Sequence, residues 1–282
     1  MATQRWEPPH EQEPEKQEQS REALQLDTSR MTAHEILEGA AELGRNELKR
    51  SSKALAISGL AGGLTMGLTG MAVAIAQVTL GAGQMQEFVS YIFYPVGFIA
   101  VIIGRAQLFT ENTLFPVVLI LSERRHVLST LRLWIVVFLS NSIGAAAFAV
   151  LAVLTGALRS DFASELVTLG VQSANQEMAH IFWTGVIGGW LIALVAWLVT
   201  ASHWTVGQIV VVWLLTFIVG LGRFAHCIAT SGEIFASVFA GAIPFGSYVR
   251  WIIPATAGNI VGGVTIVSLL NYGQVKAGET LE

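Results

Sequence analysis

The chain has a single cysteine, Cys227, among 282 residues. One thiol can form no intrachain disulfide and cannot assemble a cysteine-based metal site. With no triad partner beside it, Cys227 reads as a small packing residue. Charge is the second scarcity. Only 13% of residues are Asp, Glu, Lys or Arg, against about a quarter in an ordinary soluble domain. Of these 36 residues, 19 lie before Ala54, and the 45 residues from Met178 to Gly222 contain none. With a hydrophobic fraction of 53% and a mean hydropathy of +0.58, a water-soluble domain is excluded. The N-terminus also lacks the apolar run of a signal peptide. Residues 1–30 are rich in Glu, Gln and Pro and cannot bury enough apolar surface to offset chain entropy, so a disordered acidic cytoplasmic tail is expected there. The net charge of -4 arises mostly at this end and points to no nucleic-acid partner.

An amphipathic helix is expected over 31–53. Thr32 followed by Glu35 has the form of a capping box, and Ile36, Leu37, Ala40, Leu43 and Leu48 make an apolar stripe suited to the membrane interface. A membrane-crossing helix needs about 20 apolar residues, and six such spans fit between 54 and 275. These are Ala54–Gln86, Phe88–Ser122, Leu133–Leu158, a fourth starting at Met178, a fifth running to about Val249, and Trp251–Val275. Residues 276–282 form a short tail. Arg45, Lys49, Arg50, Lys53, Arg124, Arg125, Arg132 and Lys276 gather on one side, which places both termini in the cytoplasm.

The two halves repeat at an offset of 118. Gly67 and Gly70 match Gly185 and Gly188, Gly104-Arg105 matches Gly222-Arg223, Arg132 matches Arg250, and Asn141-Ser-Ile-Gly144 matches Asn259-Ile-Val-Gly262. Three spans per half is an odd number, so the halves enter the membrane with opposite orientation, an architecture of transporters and channels. The expected fold is an all-α membrane protein of two inverted three-helix repeats. Arg105 and Glu111 interrupt span two, and Arg223 and Glu233 interrupt span five. Broken helices in corresponding positions point to the solute path. All four are intramembrane charges, and Arg105 and Arg223 cost about 2.5–3.5 kcal/mol each at mid-membrane, so Arg–Glu bracing is expected, with Glu111 and Glu233 as partners. The two breaks, meeting across the pseudo-two-fold axis, would set Leu108, Phe109 and Thr110 opposite His226. Leu108 and Phe109 would constrict the path, and Thr110 would orient the imidazole beside a passing weak acid. Asn112, Asn141 and Asn259 are expected to support the broken helices. The chain shows neither paired metal ligands nor a nucleophile with its base, so neither an enzyme nor a cofactor is expected.

Leu108-Phe109-Thr110 in span two, His226 in span five, and Pro254-Ala-Thr-Ala-Gly-Asn-Ile-Val-Gly-Gly263 in span six resemble the formate/nitrite transporter family. The string Leu108-Phe-Thr-Glu-Asn-Thr113 with Glu233 is closest to its YfdC-like branch. The resemblance spans roughly Met31 to Tyr272. It implies an aquaporin-like protomer of a homopentamer in the bacterial inner membrane, with one solute path per protomer centred on Thr110 and His226. The implied solute is a small monovalent anion or its weak acid, formate or nitrite in kind, with proton linkage through the histidine. Formate-type members carry a lysine before span four and small residues where this chain has Arg105 and Arg223. Here Gly170 to His180 contains no lysine and one glutamate, Glu177. A pore for a small neutral solute, or a non-conducting structural or sensing protein, are the competing expectations.

Overall fold

The computed structural model describes residues 31–83 and 85–279. The tail expected over 1–30 and residues 280–282 lie outside the described residues, and the elements below belong to the unit Ala33–Glu282. Helix α1 spans Ala33–Lys49 and α2 spans Ser52–Leu80. Span two is assembled from α3 (Gln86–Tyr91), α4 (Pro95–Ile103), a break, a 3-10 turn (Glu111–Thr113) and α5 (Phe115–Glu123). Then follow α6 (Val127–Val153), α7 (Ser160–Ala174) and α8 (Met178–Thr200). Span five is α9 (Thr205–Leu221), a break and α10 (Ala229–Phe239). The last span is α11 (Phe245–Val261), a π-helical stretch Gly262–Leu269 and α12 (Leu270–Glu279).

Five stretches are long and apolar enough to cross a membrane: Ser52–Leu80, Gln86–Ile103, Val127–Val153, Met178–Thr200 and Phe245–Gly278. The apolar helix Thr205–Leu221 is shorter, and at 1.5 Å per residue it falls short of a bilayer about 30 Å thick. The half-helix α10 supplies the remaining length beyond the break. The architecture is two inverted three-span repeats with spans two and five broken. Local chemistry sets several boundaries. The Ser51 side chain caps α2 by accepting the Ala54 N–H at 3.2 Å, and Pro95 and Pro116 stand in the first turns of α4 and α5, where a missing N–H costs nothing.

Hydrogen bonds and close contacts correct the repeat register. Spans two and three match spans five and six at 118, as the sequence suggests. Span one matches span four at 126 instead. Asn141 donates to the carbonyl of Gly59 and Asn259 to that of Gly185, at 2.7 and 2.8 Å. A Cβ on Gly63 would stand 2.0 Å from the Asn141 carbonyl oxygen, and one on Gly189 would stand 2.2 Å from that of Asn259. So Gly59, Gly62 and Gly63 are the counterparts of Gly185, Gly188 and Gly189. Gly67 and Gly70 are not: Gly67 faces the Phe148 ring and Gly70 faces Glu233. The first half carries eight more residues between spans one and two, in the longer α2 and its following loop, and these absorb the shift.

The corrected register also enlarges the repeat. Arg132 donates to the carbonyls of Leu48 and Arg50 at 2.8 and 3.1 Å, and Arg250 to those of Ala174 and Gln176 at 3.2 and 3.0 Å. Each arginine thus holds the C-terminal end of a short helix, α1 or α7. Helix α1 packs on α5 and α7 on α10, the second halves of the two broken spans. Helix α7, between spans three and four, is therefore the repeat partner of α1. Buried Ile36, Leu37 and Ala40 belong to α1's apolar stripe, and Arg45 reaches Glu123 of α5 at 2.7 Å.

Backbone-to-backbone packing of this kind tolerates no side chain. Gly63→Val and Gly189→Val should each abolish the folded, monodisperse protein in mild detergent. Gly83→Val, where a Cβ meets nothing within 4 Å, should elute normally. A normal size-exclusion profile for Gly189→Val would refute the contact.

Candidate functional site

Each break opens with the same helix ending. Arg105 and Arg223 take the left-handed conformation, φ 57° and 49°. Their N–H groups donate to Ile102 and Gly220, and the next N–H, of Ala106 or Phe224, reaches back to Val101 or Val219 at 3.1 or 3.0 Å. This is a Schellman ending with arginine in the slot glycine usually fills. Left-handed backbone costs an L-residue about 1–2 kcal/mol, so both halves retain strain at the same point.

Beyond the turn the chain runs without helical bonds, and an asparagine on the next span meets the freed groups. Asn141 donates to the Gln107 carbonyl at 2.8 Å and accepts the Phe109 N–H at 2.9 Å. Asn259 does the same for Ala225 and Cys227, at 2.8 and 2.9 Å. With the bonds to Gly59 and Gly185, both amide N–H groups and the carbonyl oxygen of each side chain are engaged. Asn112 donates to Gln107 Oε1 at 2.9 Å and to the Leu108 carbonyl at 3.2 Å, and its own carbonyl accepts the Trp134 indole N–H. Span six closes over the same region, where the Ser268 hydroxyl donates to the Thr113 carbonyl at 3.0 Å.

The two breaks meet at Thr110 and His226, both wholly buried, with Thr110 Oγ1 2.8 Å from His226 Nε2. The other ring nitrogen, Nδ1, faces the N–H groups of Ile228 and Ala229 at 3.3 and 3.0 Å. Both of those are donors, so Nδ1 accepts and the proton sits on Nε2. The imidazole is a fixed N–H donor aimed at Thr110. The Phe98 ring stands edge-to-face with it, centroids 5.0 Å apart, and Tyr94 lies 5.7 Å from Phe98.

Two vestibules flank this centre. The one beside α1 is a cavity of about 260 Å³ lined by Arg105, Gln107, Leu108, Glu111 and Gln208 among others. The one beside α7 is narrower, about 40 Å³, and is lined by Tyr94, Gln172, Val219, Arg223 and Glu233. Leu108 thus closes the floor of the first. Phe109 turns away to pack on Trp134 and Phe138 of α6, centroids 5.9 and 5.2 Å apart. Sequence reasoning did not single out Tyr94, Phe98 and Val219. The spacing of Tyr94 and Phe98 at i and i+4 on the half-helix before the break was the signal available.

Arg105 and Arg223 are exposed, one lining each vestibule. Arg223 pairs with Glu87 at 2.9 Å and donates to Gln172 at 3.2 Å, so its carboxylate partner is Glu87 and not Glu233. The left-handed turn ends the helix at the mouth, within reach of α3. Glu233 is buried against Gly70 and faces the narrower vestibule. Among the described residues no group of three or more His, Cys, Asp or Glu side chains could hold a metal ion.

The family model described as "Formate/nitrite transporter" matches residues 34–273. The chain is 33% identical over 262 residues to "Inner membrane protein YfdC" of Escherichia coli (strain K12), covering 90% of this chain and 83% of that one. It is 30% identical over 222 residues to "Probable formate transporter" of Methanothermobacter thermautotrophicus, covering 70% and 81%. Its fold matches two solved structures at 18% identity each. One is titled "FNT family ion channel", with a TM-score of 0.76 over 87% of this chain and 99% of that one. The other is "Pentameric formate channel with formate bound", 0.69 over 80% and 98%. Two broken spans stapled by repeat-related asparagines, and a family match running through all six spans, place the chain in the formate/nitrite transporter family.

Proposed function

We propose that the protein is a channel for small monovalent anions of the formate and nitrite kind, or their weak acids, in the cell membrane. The carrying observation is the 2.8 Å contact of Thr110 with His226 where the two breaks meet between two vestibules. A small anion stripped of water needs donors at that depth, since burying an unpaired charge costs several kcal/mol. The Nε2–H of His226 and the hydroxyl of Thr110 supply them. Apolar Leu108 on one side, with Tyr94, Phe98 and Val219 on the other, would form the collars that make the solute shed its water. The relatives named as formate transporters and channels support this solute class.

The tautomer bears on proton linkage. Nε2–H is the only N–H of this imidazole, and Nδ1 is occupied by two backbone donors. Lending a proton therefore requires those bonds to open first. We assign His226 the role of hydrogen-bond donor, with the acid's proton drawn from water in the vestibule.

A second reading, a pore for a small neutral solute, is favoured by the mouth beside α7, where Glu87 neutralises Arg223 and Glu233 adds a further carboxyl. Proteoliposome flux separates the two. Formate and nitrite should enter well above protein-free vesicles, with urea near background; urea entry without formate entry would establish the second reading.

We also propose a homopentamer in lipid, with α1, both termini and the wider vestibule on the cytoplasmic side, where Lys and Arg concentrate. Large apolar side chains exposed on the protomer, such as Ile57, Ile135, Leu139 and Ile143, would meet neighbouring protomers or lipid. Native mass spectrometry from mild detergent should give five copies. A monomer under those conditions would contradict the assembly.

A further inference from the structure

The pseudo-two-fold relation makes the two vestibules comparable atom for atom, and one difference between them stands out. Arg105 and Arg223 share sequence context, helix ending and left-handed backbone. Arg223 is neutralised, with Glu87 at 2.9 Å and the Gln172 amide oxygen at 3.2 Å. Among the described residues the Arg105 side chain makes no hydrogen bond and has no carboxylate within ion-pair distance, its only bond being that of its backbone N–H to Ile102. Its guanidinium opens on the wider cavity, about 260 Å³. Two carboxyl groups face the same cavity. Glu47 is held by Arg50 at 2.9 Å, and Glu111 feels the charge of Arg105 without coming within ion-pair distance of it. Gln208, Ser202 and Thr200 also line the space, and each already donates to a backbone carbonyl, which leaves the guanidinium as the charged donor group without a partner.

We propose that Arg105 is the anion-capture residue of this channel, making the vestibule beside α1 the loading site for a small carboxylate or nitrite ion. The proposal rests on the anion-channel reading above. A guanidinium with no carboxylate in direct contact keeps its five donors for a planar anion, which it can meet with two parallel bonds. Walls of low dielectric focus its field into the cavity and raise the local anion concentration. The opposite mouth has lost this property to Glu87. The two openings of one pore therefore differ in anion affinity although their backbones are related by symmetry. The left-handed strain at residue 105 is consistent with this role, because glycine would relieve it and carry no charge.

The consequence is sidedness. In oriented proteoliposomes, Arg105→Gln should raise the half-saturating formate concentration about tenfold when formate is supplied from the α1 side. It should leave the maximal flux, and the half-saturation from the α7 side, close to native. Arg105→Lys should restore most of the loss, because a point charge suffices for focusing even without the bidentate geometry. Arg223→Gln should leave loading from the α1 side unchanged. Equal half-saturation for native and Arg105→Gln from the α1 side would overturn the proposal, as would an equal rise from both sides. Native protein that carries neither formate nor nitrite from either side would instead refute the anion-channel reading on which it stands. A thermal melt of Arg105→Gln matching the native protein guards against loss of fold.

Discussion

His226→Phe is expected to remove about tenfold to a hundredfold of the protein-dependent formate flux. The variant keeps a planar ring in a wholly buried site beside Phe98 but loses the Nε2–H donor. A hydrogen bond to a charged group is worth about 1.5–3 kcal/mol, and every 1.4 kcal/mol of barrier is about a factor of ten in rate. Thr110→Val should lose flux for the same reason, and Thr110→Ser should keep most of it. His203→Phe, remote from the two breaks in sequence, should behave as native. Lowering external pH should raise native formate flux beyond the rate in protein-free vesicles, because the neutral acid crosses the centre without an ion's desolvation cost. Chloride, which accepts no proton, should show no such rise. Unchanged formate flux and pH dependence in His226→Phe, with a native melting temperature, would reduce the histidine to a packing residue.

The second large effect concerns stability. Asn259→Leu preserves the approximate volume of a buried side chain and deletes its hydrogen bonds. The Ala225 carbonyl and Cys227 N–H would then face an apolar group with no water to replace the amide, while Gly185 keeps the bonding of its own helix. Each buried group left unpaired costs about 1–3 kcal/mol, so a loss of roughly 2–6 kcal/mol is expected, with a large fall in melting temperature in detergent. Asn141→Leu should match it, since Gln107 and Phe109 lose the same partners. Glu177→Gln, at the start of α8, should change little. A melting temperature within a degree or two of native for Asn259→Leu would show that the breaks are held by something other than the asparagines.

The site was partly legible because its chemistry violates the surrounding apolar pattern. A charge, an asparagine or a histidine inside a membrane span stands out by its cost, and Arg105, Arg223, Asn141, Asn259 and His226 each lie at a break, a staple or a vestibule. Thr110 and His226 are 116 residues apart, yet the repeat alone suggested that their loops meet. Phe109 and Glu233 show where such reasoning stops. A residue's presence in a broken segment does not say which way its side chain points. Phe109 follows its N–H, which Asn141 holds, toward α6. Arg223 found Glu87, 136 positions away, because the left-handed turn brings it to a mouth shared with α3.

Composition and spacing were enough to establish a membrane-spanning helical chain, its internal duplication and the two interrupted spans. Apolar runs of bilayer length and unpaired polar residues within them are local properties, written residue by residue. The register of span one against span four was not local. An offset of 118 matches Gly67 and Gly70 with Gly185 and Gly188, and glycines are too frequent, 28 in all, for such matches to be unique. Only the packing of Gly63 on the Asn141 backbone, and of Gly189 on that of Asn259, distinguishes 126 from 118. The partnership of α7 with α1 was hidden for the same reason, because the pairing is made by Arg132 and Arg250 reaching backbone carbonyls, which carry no sequence signature. The difference between a neutralised Arg223 and an unpaired Arg105 likewise belongs to tertiary structure alone: the shared Gly-Arg pair takes the same backbone turn in both halves, and the surrounding helices decide which guanidinium meets a carboxylate.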